Sequence, residues 1–329
     1  MSIRNSDQEV IEVANEWLQS GHSIYLVTVV RTWGSSPRPV GSIAAVRHDG
    51  ELVGSVSGGC VEKQLVESLL REQGDNKSNV ASSESAMNQK ISTLHVDDEQ
   101  ARRFGLSCGG ELELVFEPLT SANALSKLNE ATQKRQTLRR TVNLNTGHAE
   151  LQPLDDCTVD PNTRFEYNGS TVSKVFGPDW RILIIGAGQL SRYTAEFALA
   201  LDYDVLVCDP RPGFKQAWQV ADIPVLDMSP DDAVLAHATD SNAAVLALTH
   251  DPNLDDLALL EALPSNAFYV GALGSKRNYE KRVRRLAGLG LDDDAISRLI
   301  GPIGLDIGSR TSAEIAISIV AHLIKARNS

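Results

Sequence analysis

Two of the four cysteines stand in glycine-rich settings, Ser57-Gly58-Gly59-Cys60 and Ser107-Cys108-Gly109-Gly110. The apolar pattern from Val61 to Arg71 predicts a helix, which puts Cys60 at its start. There the dipole and the unbonded amides favour the thiolate. The flanking glycines let a bulky ligand approach the backbone. Two such loops, if they meet, make a soft, anion-tolerant pocket with two thiolates, a setting polarisable metals prefer. The plainer alternative is two small buried cysteines beside ordinary turns. No Cys-x-x-Cys or His-Glu-x-x-His pattern occurs, so a structural zinc site is not expected.

A second chemical signature begins at Arg181. An Ile- and Leu-rich run enters Gly186-Ala-Gly188-Gln-Leu-Ser191, a helical pattern follows, and a second apolar run ends on Asp209. Strand, glycine turn, helix and strand with a terminal acid form the dinucleotide-binding βαβ signature. Gly186 permits the sharp exit from the strand. Gly188 leaves room for a pyrophosphate, which then faces the amides of a helix start. Asp209 lies about 20 residues on, where an acid contacts a ribose hydroxyl; a carboxylate there favours a free 2′-hydroxyl over a 2′-phosphate. Ser191 replaces the third glycine. A scaffold kept only for packing or assembly is the alternative.

Further candidates cluster by position. His250-Asp251 follows a buried strand, where ligands bind in open α/β sheets and imidazole beside carboxylate suits acid–base or metal chemistry. Asp251 alternatively caps a helix. Gly274-Ser275-Lys276 is a basic loop opening a helix, without being a Walker sequence. Asp306 and Ser309 lie in a glycine-rich turn expected to face the same strand ends. Arg31 and Arg38 flank Trp33-Gly-Ser-Ser-Pro, and a mobile loop there suits phosphate contacts, with ordinary solvated basic residues as the alternative. The run Lys281, Arg282, Arg284 and Arg285 reads as a solvated helix face. His22, His48, His95, His148, His237 and His322 stand alone, and Cys157 and Cys208 read as inert.

The elements that position these groups follow from periodicity. A helix is predicted over Asp7 to Gln19. Strands are predicted over Ser23 to Arg31, Gly41 to Arg47, Leu52 to Ser57, Ile91 to Val96 and Glu111 to Phe116, with a hairpin at His48-Asp49-Gly50. Trp33 to Val40 and the polar stretch from Gly74 to Lys90 read as loops. Ala122 to Gln136 reads as a helix and Thr137 to Val175 as a β-meander. After Gly177-Pro178, strand and helix patterns alternate to a final helix over Ser312 to Ala326, opened by Thr311 and Glu314. This alternation predicts a Rossmann-like, doubly wound parallel sheet in residues 178–329, beside an N-terminal α+β domain in residues 1–177.

The net charge of −12 over 329 residues argues against non-specific binding to nucleic acid or anionic membranes. The apolar runs are too short to span a bilayer, and the N-terminus lacks a signal-peptide core. A cytoplasmic protein with free thiols is expected.

In combination, the runs Val29 to Gly41, Gly54 to Glu62 and Ser107 to Glu111 resemble the XdhC/CoxI family of xanthine dehydrogenase accessory proteins. In the second half, Gly186-Ala-Gly188, Asp209-Pro-Arg211, Leu248 to Pro252, Tyr269 to Lys276 and Pro302 to Arg310 are similar to the family's C-terminal domain. The segments near Gly74 to Lys90 and Thr137 to Val175 are unmatched. The resemblance implies a molybdenum cofactor chaperone. Such a protein binds molybdopterin or its dinucleotide form, helps fit its terminal sulfido ligand, and delivers it to a molybdenum hydroxylase of the xanthine, aldehyde or carbon monoxide dehydrogenase type. It implies Cys60 and Cys108 as groups at the molybdenum, and a cysteine desulfurase as a second partner. A homodimer is compatible with such a fold. The competing reading is an NAD(P)-dependent oxidoreductase with the nucleotide at the glycine turn and a cysteine or His250 in the chemistry. No recognisable catalytic set around a hydride acceptor accompanies it, so a carrier is expected rather than a turnover enzyme.

Overall fold

The structure is a computed structural model that describes residues 7–34, 38–56, 92–96, 110–154, 164–220 and 223–328. The chain divides into two compact units, residues 1–178 and 179–329.

The first unit opens with α1 (Asp7–Gln19), which buries Val10, Ile11, Ala14, Trp17 and Leu18 along one stripe. Gly21 ends it with φ +83°. The His22 amide donates to Trp17 O and the Gly21 amide to Leu18 O, the paired bonds of a Schellman stop. Strands β1 (Ile24–Gly34), β2 (Ile43–Arg47), β3 (Leu52–Gly54), β4 (Ser92–Val96) and β5 (Gly110–Leu119) follow. They form an antiparallel sheet in the order β3-β2-β1-β5-β4. Alternation along β1 sends Ile24 and Leu26 toward α1 and α2 (Ser126–Gln133), and Tyr25, Val27 and Val29 into a second cluster on the opposite face.

Strand β1 runs longer than its β-branched core suggests. It continues through Trp33 and Gly34, which sequence composition assigned to a loop, because a bulge after Val29 restores pairing with β5. The bulge adds a residue to one strand only, and Val30 joins Val115 and Val172 in a separate cluster. Val172 belongs to a second sheet, formed by β6 (Thr137–Asn143), β7 (Ala149–Leu154), β8 (Phe165–Tyr167) and β9 (Thr171–Phe176). Its order is β7-β6-β9-β8. The meander expected from the turn signals is therefore corrected to two hairpins joined through β6 and β9. A buried pair, Arg140 Nη1 to Glu117 Oε2 at 2.8 Å, ties this sheet to β5.

The second unit contains β10 (Arg181–Ile185), β11 (Asp204–Cys208), β12 (Val225–Leu226), β13 (Ala243–Ala247), β14 (Tyr269–Ala272) and β15 (Leu299–Ile300). All pairings are parallel, in the order β12-β11-β10-β13-β14-β15. This is the Rossmann order, whose switch point lies between β10 and β13. Helices α3 (Gln189–Leu199) and α9 (Ser312–Arg327) cover one face. Helices α5 (Pro230–His237), α6 (Pro252–Ala262), α7 (Lys276–Gly288) and α8 (Asp293–Ser297) cover the other. Burial on both faces explains why β10 and β13 lack polar alternation: Leu183 and Ile185 pack to one side, Ile182 and Ile184 to the other. A short helix, α4 (Pro212–Ala217), follows β11. No described helix is long and apolar enough to cross a membrane.

Candidate functional site

The switch point is built from glycine. Gly186 has φ +109°, and a Cβ there would lie 3.0 Å from the Thr249 Cα. Only glycine lets the end of β10 pass so close to the chain leaving β13. At Gly188 a Cβ would meet nothing within 4 Å. Gly188 is also the N-cap of α3, with no side-chain cap and no acid in the first turn. A helix start with open space above it and no competing carboxylate is a place for an anion. Ser191 is fully buried in the first turn of α3, its hydroxyl without a hydrogen-bond partner.

Asp209, the expected ribose ligand, is held within the glycine turn. Its side chain is wholly buried. Oδ2 accepts from the Ala187 amide at 2.8 Å and from Arg211 Nη2 at 2.8 Å. Oδ1 accepts from the Arg211 amide at 3.1 Å and from Arg211 Nε at 2.9 Å. Burial pushes this carboxyl up, but Arg211 and the two amides outweigh it and hold it below the ordinary carboxylate value. The carboxylate thus braces the glycine turn from beneath. Arg211 in turn lies over the Phe214 ring at 4.0 Å.

On the other side of the switch point, His250 is exposed and has φ +63°, a left-handed conformation uncommon for a histidine and of the kind concentrated at ligand sites. Asp251 caps α6 by accepting the Asn253 amide at 3.0 Å, so the helix-cap reading holds for it. Beneath them, buried Asp255 accepts the Thr249 hydroxyl at 2.7 Å and pairs with Arg282 Nη2 at 2.8 Å. Burial pushes the Asp255 carboxyl up, against the pull of Thr249 and Arg282. Arg282 also donates to Leu273 O at 3.0 Å, and Arg285 Nε reaches Asp256 at 2.6 Å. Arg282 and Arg285 are therefore not a solvated face. Residues 27 and 29 positions apart meet because α6 and α7 flank the same strand. Sequence reading missed Thr249, Asp255 and Arg211; the Asp-Pro-Arg and Thr-His-Asp-Pro runs were the available signals.

Gly274 and His250 line one cleft of about 350 Å³ with Asn278, Lys281 and Arg285. Ser275 caps α7 at the Asn278 amide, and Lys276 is exposed. Asp306 is exposed and Ser309 half-buried, in the chain leading to α9. That helix meets α3 where Ser312 Oγ lies 3.4 Å from Gln189 Oε1, beside the glycine turn. Cys208 donates to Met228 O at 3.4 Å, and burial pushes its thiol up to about 12, consistent with an inert cysteine.

In the first unit Arg31 stands on β1, beyond the bulge, and not on a mobile loop. Its Nη1 lies 3.5 Å from Glu113 and its guanidinium 4.9 Å from the Tyr167 ring centre. Arg38 is half-buried. His22 and His48 do not stand alone: their rings stack at 5.2 Å. His322 meets the Tyr269 hydroxyl at 3.2 Å. Gly58, Gly59, Cys60, Cys108, Gly109 and Cys157 lie outside the described residues, as does the helix expected after Cys60; Gly110 begins β5. The end of β1 at Gly34 pairs with the start of β5 at Gly110, whereas β3 ends at Gly54 opposite Ala44, which in turn pairs with Val27. Among the described residues no group of three or more His, Cys, Asp or Glu forms a metal site.

The XdhC Rossmann domain model matches residues 182–323, and the XdhC and CoxI family model matches residues 17–80. The molybdenum cofactor insertion chaperone PaoD of Escherichia coli K12 is 28% identical over 335 aligned positions, covering 99% of this chain and 90% of that protein. A probable xanthine dehydrogenase subunit of Bacillus subtilis 168 is 24% identical, covering 94% of this chain and 95% of that protein. A crystal structure described as a xanthine dehydrogenase from Bacillus halodurans superposes with a TM-score of 0.71 at 24% identity, over 98% of this chain and 96% of that one, a likeness of fold. With one model on each unit and full-length relatives besides, the chain belongs to the XdhC and CoxI family.

Proposed function

We propose that this chain carries molybdenum cofactor and assists its insertion into a molybdenum hydroxylase. The observation that carries the reading is the match, across 99% of the chain, to a relative described as a molybdenum cofactor insertion chaperone. The structure offers groups that suit such cargo. The start of α3, open above Gly188 and free of first-turn acids, fits a phosphate or pyrophosphate held by backbone amides. In the first unit, the glycine-flanked Cys60 and Cys108 are the thiols that would suit a soft metal centre. His250, Gly274, Ser275 and Lys276 border the parallel strand ends, where further polar contacts to the cofactor are expected. Asp306 and Ser309, in the chain leading to α9, are expected to add to these contacts.

In this reading the chain binds and shields its cargo and does not turn over a substrate. Assistance in fitting the sulfido ligand, with a cysteine desulfurase as sulfur donor, is the finer part of the proposal. So is association with a second copy of the chain.

The oxidoreductase alternative draws on the Rossmann strand order. Both oxygens of Asp209 are engaged by Arg211 and Ala187, so a ribose hydroxyl would have to displace Arg211, which weighs against that alternative.

Purifying the protein from cells that make the cofactor, then oxidising it and measuring the fluorescent pterin product, tests the reading. Retained pterin that drops in Cys60→Ala and Cys108→Ala supports the thiol pocket. Wild-type protein without pterin above background would overturn the carrier role. Calorimetry with NAD and NADP addresses the alternative: tight binding with turnover of an aldehyde or hydroxy acid would favour it.

A further inference from the structure

The chain carries a net charge of −12, yet the cleft of about 350 Å³ in its second unit is lined by His250, Lys281, Arg282 and Arg285 and, among the described residues, by no carboxylate. Its volume falls among those of small-molecule sites, about 300–1,000 Å³. It borders the carboxyl ends of β13 and β14, which are neighbouring parallel strands. His250 follows the first and Gly274 the second, and both line the cleft. The glycine turn follows β10, on the far side of β13. The cleft is thus a second strand-end site, one strand removed from the first.

Its charges are not used up within the fold. Arg282 pairs with Asp255 and Arg285 with Asp256, so these four charges cancel. Lys281 is exposed and has no ion-pair partner among the described residues, which leaves the cleft one cation in excess. Arg282 is only 6% exposed, and its Nε has no hydrogen-bond partner among the described residues; Asp256 Oδ1 lies 3.5 Å away. A buried charged donor without a hydrogen bond is costly, and an oxyanion in the cleft would supply its acceptor. Helix α7 opens here as well. Gly274 precedes its cap, Asn278 lies in its first turn, and no acid occupies that turn, so the positive end of the helix adds to the field.

We propose that this cleft binds a phosphate group, with Lys281 as its principal cation and the Asn278 side-chain amide and Arg282 Nε as donors. A carboxylate fits less well. Its usual partner is a free guanidinium fork, and both forks here are engaged: Arg285 gives Nε and Nη2 to Asp256, and Arg282 gives Nη1 to Leu273 O and Nη2 to Asp255. What remains is a lysine point charge beside a helix start, which suits a phosphate. Two sources share this chemistry, the phosphate of the cofactor cargo and a separate phosphorylated small molecule. The site itself does not depend on the carrier reading; only the first of these sources does.

Inorganic phosphate titrated into the full chain at constant pH and ionic strength, with chloride as the matched control, tests the site. The readout is the His250 ring-proton NMR signal, identified by its loss in His250→Gln, because that ring lines this cleft. The signal is expected to shift saturably with phosphate. Lys281→Gln is expected to weaken binding about tenfold or more, as loss of a charged hydrogen bond does, and Lys281→Arg should retain most of it. Arg284→Gln removes the same charge from the same helix, outside the cleft lining, and should leave the affinity unchanged. Lys281 is exposed, so its variants keep the fold, which an unchanged melting curve checks. No phosphate-specific shift, or equal weakening by Lys281→Gln and Arg284→Gln, would overturn the proposal. Pterin retention then separates the sources. Pterin lost from Lys281→Gln assigns the site to the phosphate of the cargo, and pterin retained while phosphate binding is lost assigns it to a separate phosphorylated molecule. A wild type that binds phosphate here but carries no pterin removes the carrier reading and leaves this site standing.

Discussion

Asp209 and Ala187 are joined by a 2.8 Å hydrogen bond from the Ala187 amide to the buried Asp209 carboxylate, so the acid at the end of β11 serves as the brace of the glycine turn. Asp209→Asn removes that charge and leaves Arg211 without its partner. A buried pair broken on one side costs about 3–5 kcal/mol; with the Arg211 side chain 29% exposed, about 2–3 kcal/mol is expected, read by chemical denaturation.

The same carboxylate gives stability an acid limb. Its pKa is lower in the folded protein than in the unfolded chain, held down by Arg211 and the amides against burial. Its contribution is therefore complete above the unfolded value of about 4 and is lost as pH falls through the lower folded value. Urea unfolding between neutral and acid pH should show this slope in the wild type and a shallower one in Asp209→Asn. Equal slopes would show that another carboxylate carries the limb.

The two glycines of the turn should separate under substitution. Gly186→Ala places a methyl against the Thr249 backbone at positive φ, and a loss of roughly 1–3 kcal/mol in stability is expected. Gly188→Ala meets open space, so stability should change by less than about 0.5 kcal/mol, while binding of pyrophosphate-bearing ligands weakens. Comparing melting temperatures with ligand titrations distinguishes the two positions; weakened folding in Gly188→Ala would contradict the geometry.

Arg282→Met leaves the Asp255 carboxylate buried without its cation and frees the Leu273 carbonyl. A destabilisation of about 3–5 kcal/mol is expected. Paired substitution of Asp255→Leu with Arg282→Met should recover much of it, and a double-mutant cycle measures the coupling.

Cys208 has its thiol raised to about 12 by burial, with Asp209 and Asp231 adding to the effect. A thiol reagent at mildly alkaline pH should leave Cys208 unmodified in the native protein and label it after unfolding, as peptide mapping would read. Labelling of native Cys208 at the rate of a small thiol would contradict its burial.

The secondary structure of the second unit was legible because it rests on local rules. Runs such as Ile182 to Ile185 and Ala243 to Ala247 are apolar throughout because both faces are covered, and Thr311 with Glu314 does form the capping box that opens α9. Short elements with little apolar periodicity, such as α4, α8 and β15, escaped notice. The length of β1 did too, because a bulge is a matter of pairing with β5 and leaves no periodic trace.

The sequence by itself determined the parallel Rossmann sheet, the position of the glycine turn and membership of the family, since periodicity and motif spacing are properties of neighbouring residues. Tertiary structure alone decided what the charged groups do. Whether Asp209 meets a ribose or braces a turn depends on Arg211 folding back over it. Whether Arg282 faces water or Asp255 depends on two helices docking on one sheet. Charge type is local, but the partner that sets its energy is brought up by the fold.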